Sequence, residues 1–498
     1  MAGKDIPINP RQIGTLHSHC YRALDSPRIA ETYINRWNEY APEFKLNAVN
    51  DESVLDSPKE QIVGGNEAEK IFLKYQNLRN KIIDRKLWPY TVQAFAKKWE
   101  HWKEYEIDAI DFTDMIEMGL DFIGPPGDPK IGFYDEVQDF TPLELKLIRY
   151  WSKDMDYILL SMDDDQTIFS FKGADPIACL KPALPKDQIR VLNQSYRVPR
   201  KIQVIAQKWI EKVTERQPKE YKPKKGVEGE IRKLNGGNWK YPKMIVGDVD
   251  KYIKKGKKIM FLTSCSYMLE PLKVELRKQG VPFYNPYRKK RGDWNPLTPD
   301  RGISSSERLL AFLRPNYDTW GELTRMWTIE DLSKWIPLIN SKGIMKNGTK
   351  NKIKKLAEDD DIKNKEVNID DMLQWFTEDG LNQVINSMTN TNIDWFNENI
   401  IASKKKGMQF PLNIAKKRGT KVLVKEPQVI IGTIHSVKGG EAEIVYLFPD
   451  LSASGLREWI IPGTSRDAII RQFYVGMTRT KETLIFCSPS SSTAIQII

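Results

Sequence analysis

IGFYDEVQDFTPLELKLIRYWSKDMDYILLSMDDDQTIFSFKGA, residues 131–174, reads as strand, helix, strand. The apolar run Ile131 to Tyr134 ends in Asp135-Glu136. Thr141-Pro142-Leu143-Glu144 then has the form of a capping box with proline at the first helical position. Leu143, Leu147, Ile148 and Trp151 fall on one face of the helix that follows. A second apolar run, Tyr157 to Met162, ends in Asp163-Asp164-Asp165-Gln166. Both acidic clusters therefore stand at the carboxyl ends of strands, where open α/β sheets bind ligands.

Outward from this unit, a second α/β region is written in two pieces. The first holds LNQSYRVP (192–199), the run Lys258 to Thr263, the helical pattern YMLEPLKVELRKQG and a return strand VPFYNPY. The second holds VIIGTIHSVKGGEAEIVYLFPDLS (429–452) and RQFYVGMTRTKETLIFC (471–487). Between them, residues 288–424 are helical in pattern and Lys-rich, as an inserted domain would be. Residues 25–110 are helical, polar and rich in Trp and Tyr, and read as an insertion in the first α/β region. No solenoid repeat is present.

Composition sets the outer bounds. The chain has 498 residues, enough for about three or four domains, and its 14 Trp, 19 Tyr and 18 Phe can fill real cores. The formal charge of +11 and pI near 9.1 suit a polyanionic partner, and equally a Lys-rich soluble protein. Cys20, Cys179, Cys265 and Cys487 are scattered, as expected for reduced thiols in the cytoplasm. His17-Ser18-His19-Cys20 hints at a metal site, but only His101 and His435 remain and no CxxC completes a zinc set. The first residues lack an apolar signal core, and no apolar run approaches the ~20 residues of a membrane span.

Six short motifs, in order and spacing from residue 13 to 487, resemble those of superfamily 1 DNA helicases of the UvrD/PcrA/Rep group. The resemblance implies two RecA-like α/β domains, each with a helical insertion. The first, incomplete at its N-terminus, would take residues 1–24 and 111–190, with 25–110 inserted. The second would take 191–287 and 425–498, with 288–424 inserted. IGTLHSHCYRAL (13–24) looks like an early DNA-contacting segment through Thr15 and His17. YDEVQD looks like a Walker B motif, in which Asp135 would hold Mg²⁺ and Glu136 would activate the attacking water. Gln138 points away from the DEAD-box RNA helicases. In MDDDQTIFSFKGA, Gln166 would sense the γ-phosphate, while Phe169, Phe171 and Lys172 would meet DNA. The spacing of the two phenylalanines fits core packing equally well.

Tyr196 of LNQSYRVP would stack on adenine and Arg197 would reach the γ-phosphate. In GTIHSVKGGEAE, Thr433 and His435 would touch the DNA backbone, Gly439 and Gly440 would approach phosphates, and Glu441 would bond the ribose. Arg479 of VGMTRTKETL would be the arginine finger. The chain departs from the family pattern at Met162, where glycine is preferred, at Lys172, where arginine is usual, and at Ser195, where the pattern has asparagine. Lysine keeps the charge of arginine but loses its planar fork.

One expected motif has no match: G-x-x-x-x-G-K-[S/T] occurs nowhere in the 498 residues. Gly3-Lys4 is followed by Asp5, and Gly256-Lys257 by Lys258. In the family a strand, phosphate loop and helix precede the segment at residue 13, so a βαβ unit of about 30 residues or more is expected to be missing. Its loss should leave apolar sheet faces open. The expectation is the C-terminal portion of an ATP- and Mg²⁺-dependent helicase moving 3′→5′ on single-stranded DNA and single-strand/duplex junctions. A separate N-terminal helicase fragment would carry the P-loop, or truncation would have removed it. The alternative is a non-catalytic single-strand-binding accessory subunit with a helicase-like body. A nuclease fusion has no support, since no carboxylate-lysine cluster follows Ile485.

Overall fold

The computed structural model describes residues 9–47, 66–175, 178, 183–289, 291–298, 302–317, 323–389, 393–490 and 492–497. Cys179 lies outside them. The described strands are β1 (Ile131–Tyr134), β2 (Tyr157–Leu160), β3 (Glu230–Lys233), β4 (Ile259–Thr263), β5 (Phe283–Tyr284), β6 (Asn316–Tyr317), β7 (Leu323–Arg325), β8 (Val429–Thr433), β9 (Ala442–Leu447) and β10 (Thr480–Phe486). The fold is mixed α/β with parallel sheets. Two compact units divide the chain: Met1–Lys233 with Leu262–Ser266 and Thr433–Ile498, and Leu234–Phe261 with Tyr267–Gly432. The division passes through β4 and β8.

In the first unit β1 and β2 pair in parallel, Ile131 opposite Tyr157 and Phe133 opposite Leu159. The helix between them, Pro142–Trp151, starts as its sequence dictates. The Thr141 side chain accepts from the Glu144 N–H, the Glu144 carboxylate accepts from the Thr141 N–H, and Pro142 occupies the first turn. Leu143, Leu147, Ile148 and Trp151 are buried, and Tyr134 packs against them. β2 is shorter than the apolar run that encodes it, ending at Leu160. The described residues of 30–47 and 66–109 contribute a separate helical core in which Trp37, Phe95, Trp99 and Trp102 meet mostly edge to face.

The same unit holds a parallel sheet in the order β3-β10-β9. β9 and β10 are almost wholly buried, which explains their continuous apolar sequences AEIVYL and TLIF. Helix Thr464–Thr478 leads directly into β10, so RQFYVGMTRTKETLIFC is a helix-to-strand junction with Arg479 at its corner.

In the second unit the strand order is β4-β8-β5, with Phe283 opposite Val429. The return strand expected over 281–287 is reduced to Phe283 and Tyr284. Helix Glu270–Gln279 ends at Gly280, whose φ of +64° is left-handed. A Cβ there would lie 2.7 Å from the Asn413 carbonyl oxygen. Gly280→Ala is therefore expected to cost about 2 kcal/mol or more, from αL strain and the backbone clash together. Gly407→Ala is the control: this glycine lies inside helix Ala402–Arg418 with no atom near its added methyl. That change should be neutral to stabilising by up to about 1 kcal/mol. Urea midpoints of the two variants check both.

Candidate functional site

All the described residues that the motifs single out lie in the first unit. At the carboxyl end of β1, Asp135 is exposed and its Oδ1 accepts from the Glu136 N–H at 3.0 Å. Glu136 has φ +56°, ψ +36°, a left-handed conformation that a non-glycine residue adopts at a cost. The turn aims its carboxylate at Lys438, whose Nζ lies 3.0 Å from Glu136 Oε2. Lys438 also pairs with Asp139. Burial raises the Asp139 carboxyl to about 6, Lys438 working against that rise. Gln138 is buried and bridges the two carboxyl ends: its Nε2 donates to Glu136 and its Oε1 accepts from the Asp163 N–H.

The second acidic cluster is held by two neighbouring cations. Lys219 lies 2.5 Å from Asp163 Oδ1 and 2.6 Å from Asp164 Oδ1, while Arg216 grips Asp165 through two hydrogen bonds of 2.7 and 2.9 Å. Burial would raise the Asp163 carboxyl, but Lys219 outweighs it and holds the group below the usual range. Three carboxylates close enough to share a metal ion are thus held by two cations instead. Asp135 is exposed, and among the described residues no lysine or arginine pairs with it.

Gln166 links this turn to the helix-to-strand corner. Its Nε2 donates to Asp163 at 2.6 Å and its Oε1 accepts from Arg479 Nη2 at 2.9 Å. Arg479 is 1% exposed and otherwise donates to carbonyls of Val475 and Gly440. Burial, and then the charge of Arg197, pull its guanidinium down to about 9. The Arg197 Nε is itself buried without a hydrogen-bond partner. Arg197 is half-buried and acts on the buried Arg479 as a like charge. Tyr196, next in the chain, is 84% exposed, an open ring suited to stacking.

Phe169, Phe171 and His435 form a second cluster. The phenylalanine rings are 5.9 Å apart and lie 6.0 and 5.8 Å from the imidazole. All three are half-buried, so the rings are neither core nor fully open. His435 is fixed by the Ile168 carbonyl at 3.2 Å and by Gln472 at 3.4 Å. It lines a cleft with Phe171, Ser264, Cys265, Leu451 and Gln472. Lys172 is half-buried on the turn Ser170–Lys172, its carbonyl accepting from Asn80.

Some expected residues are placed differently. Thr433 is fully buried, and its hydroxyl accepts from the Ser436 N–H at 3.2 Å. Its side chain shapes the turn that presents His435 and does not face solvent. Thr15 caps helix Leu16–Ala23 through the Ser18 N–H, and His17 faces Glu144 at 3.8 Å. Glu441 is exposed and paired with Lys481 at 3.1 Å. Gly439 has φ +84°, which reserves the position for glycine, and the Gly440 carbonyl accepts from Arg479.

Lys438 was not singled out by the motifs, although it lies between His435 and Gly439. No local pattern announces a partner 299 residues away at Asp139. Arg216, Lys219 and Gln472 carry no sequence signal either.

These features define an α/β protein with parallel sheets and a strand-end cluster of carboxylates and guanidinium groups. Residues 326–491, about a third of the chain, match the family model for the UvrD-like helicase C-terminal domain, which points to a helicase-type function. No curated protein matches the chain. Among the described residues, no helix is long and apolar enough to cross a membrane.

Proposed function

We propose that the chain is the larger part of an ATP-dependent DNA translocase, a superfamily 1 helicase body with two RecA-like domains. The observation that carries this is the contact of Arg479 with Gln166, beside Arg197 and within the field of Glu136. The donor set fits the γ-phosphate end of a nucleotide: two guanidinium groups for charge, an amide sensor and an exposed carboxylate pair. It does not fit the α- and β-phosphates, because no glycine-rich cradle exists in these 498 residues.

Bound Mg²⁺–ATP would supply the phosphoryl group and a metal to neutralise its charge. The chain's own residues do the rest. Asp135 would hold the metal's shell, and Glu136, ion-paired with Lys438, would orient water and take its proton. Arg479 and Arg197 stabilise the charge that builds on the transferred group. Gln166 connects Arg479 to the turn bearing Phe169 and Phe171, so nucleic acid on those rings is felt at the phosphate end. The 3′→5′ direction and the use of single-strand/duplex junctions rest on the resemblance alone.

A second reading, a non-catalytic single-strand-binding subunit in the cytoplasm, is favoured by the same missing cradle. Both readings require single-stranded DNA on the Phe169–Phe171–His435 cleft. Affinity for a fluorescent oligonucleotide is expected to fall steeply with salt and to vary little with sequence. Phe171→Ala should lower it by about 1–3 kcal/mol, one base's stacking. Lys172→Ala should cost less, being one phosphate contact. Salt-independent, base-specific binding would reject the motor reading.

A further inference from the structure

A cleft of about 400 Å³ lies within the second unit and contains none of the residues that the motifs single out. Three helices remote in sequence line it: Lys243–Gly247 with Lys243, Glu270–Gln279 with Glu275 and Lys278, and Ala402–Arg418 with Lys417 and Arg418. Asp250 completes the charged lining. Both carboxylates already have partners. Arg418 Nη1 lies 2.6 Å from Asp250 Oδ1, and Gln279 Nε2 donates to Glu275 Oε1 at 2.6 Å. Lys243, Lys278 and Lys417 are exposed, and among the described residues none of them is in an ion pair. The four cations thus stand against two carboxylates, Asp250 and Glu275, an excess of two positive charges.

The wall that carries these cations is fixed. Helix Ala402–Arg418 holds the end of helix Glu270–Gln279 through three side chains. Asn413 Nδ2 donates to the Arg277 carbonyl at 3.2 Å, Lys417 Nζ to the Lys278 carbonyl at 3.1 Å and Arg418 Nε to the Gly280 carbonyl at 2.7 Å. These bonds occupy helix-end carbonyls whose partial negative charge would otherwise repel an anion. They also order Lys417 and Arg418 in advance without cancelling their charge. Like charges gathered from positions 243, 278 and 417 are relieved by an anion that accepts from several ammonium groups at once, as adjacent phosphate groups do. The volume falls within the ~300–1,000 Å³ of small-molecule sites. A nucleic-acid strand continues in both directions and would carry further phosphates past Asp250 and Glu275, which a compact ligand avoids. We infer that this cleft binds a small molecule carrying adjacent phosphate groups, held by Lys243, Lys278 and Lys417. The inference stands apart from the nucleotide reading of the first unit.

Inorganic tripolyphosphate is the probe, added to the full chain, and lysine acetylation read by mass spectrometry is the measurement. Tripolyphosphate should protect Lys243, Lys278 and Lys417, and leave the exposed Lys352 and Lys355 of helix Thr349–Leu356 reactive. The concentration that half-protects Lys417 reports on this cleft alone. Lys243→Ala combined with Lys278→Ala should raise it by about tenfold or more. Lys352→Ala combined with Lys355→Ala removes equal charge from the same unit and should change it by less than about twofold. No protection of the three lysines, equal protection of all exposed lysines, or equal effects of the two double variants would overturn the inference. Stronger protection of Lys417 by a single-stranded oligonucleotide at the same phosphate concentration would also overturn it, and would make the cleft part of a nucleic-acid track.

Discussion

Arg479→Ala is expected to lower ATP hydrolysis by about 10³-fold or more once a phosphate loop is supplied, the range in which arginine fingers act. The residue is suited to the task because its charge is poorly compensated. It is buried, touches carbonyls and an amide, and feels Arg197 as a like charge. An anionic transition state would relieve that arrangement, so the expected loss falls on the chemical step. Single-turnover hydrolysis separates this effect from binding. Because the side chain is fully buried, Glu136→Gln serves as the companion variant: it is exposed, nearly isosteric, and removes the base without opening a cavity. A rate for both variants within tenfold of the parent would show that these groups do not act on phosphate.

Asp111→Ala should destabilise the helical part of the first unit by about 3 kcal/mol or more. Asp111 is fully buried and accepts from Arg79 at 3.0 and 3.1 Å, from Trp99 Nε1 at 3.0 Å, from Lys103 at 2.5 Å and from the Asp114 N–H at 2.8 Å. Removing it takes one carboxylate from two buried cations, Arg79 and Lys103, and deletes a helix cap. Arg79 keeps Asp114 and Glu117, which holds the loss toward the lower end of the range for broken buried pairs. Lys70→Ala, which breaks an exposed pair with Glu67, should change stability by less than about 0.5 kcal/mol. Urea denaturation followed by tryptophan fluorescence reports on both, since Trp37, Trp99 and Trp102 sit in this core.

The same network fixes the sign of a pH effect. Burial, and next the charge of Asp111, hold the Glu31 carboxyl above its usual range. The folded state thus keeps a proton that the unfolded chain releases. Stability from this group is full below the ordinary glutamate pKa and is lost as pH rises toward the folded value. Glu31→Gln should remove that decline.

Residues 131–174 were legible because local rules agree there. The capping box, the apolar face and the strand-end carboxylates all appear at their expected positions. The strands β8, β9 and β10 were readable for the same reason, being continuous apolar runs between turn residues. What could not be read was set by distant partners. The triple aspartate reads only as a strand-end carboxylate cluster, and nothing local announces that Lys219 and Arg216 hold it. Thr433 reads as a contact residue until its hydroxyl is found on the Ser436 N–H. Lys438 reads as a loop lysine until it reaches Glu136 and Asp139. Each depends on a pairing that sequence periodicity does not encode.

In the proposed site, Asp135, Glu136, Gln166, Arg197 and Arg479 would supply every part of a hydrolytic centre except the phosphate cradle. The most direct measurement is ATP hydrolysis by the purified 498-residue chain with single-stranded DNA, before and after adding a strand–P-loop–helix polypeptide. The expected result is background rates from the chain alone and DNA-stimulated hydrolysis on addition, lost again in Glu136→Gln. Robust ATPase from the chain by itself, or a restored rate indifferent to Glu136, would contradict it.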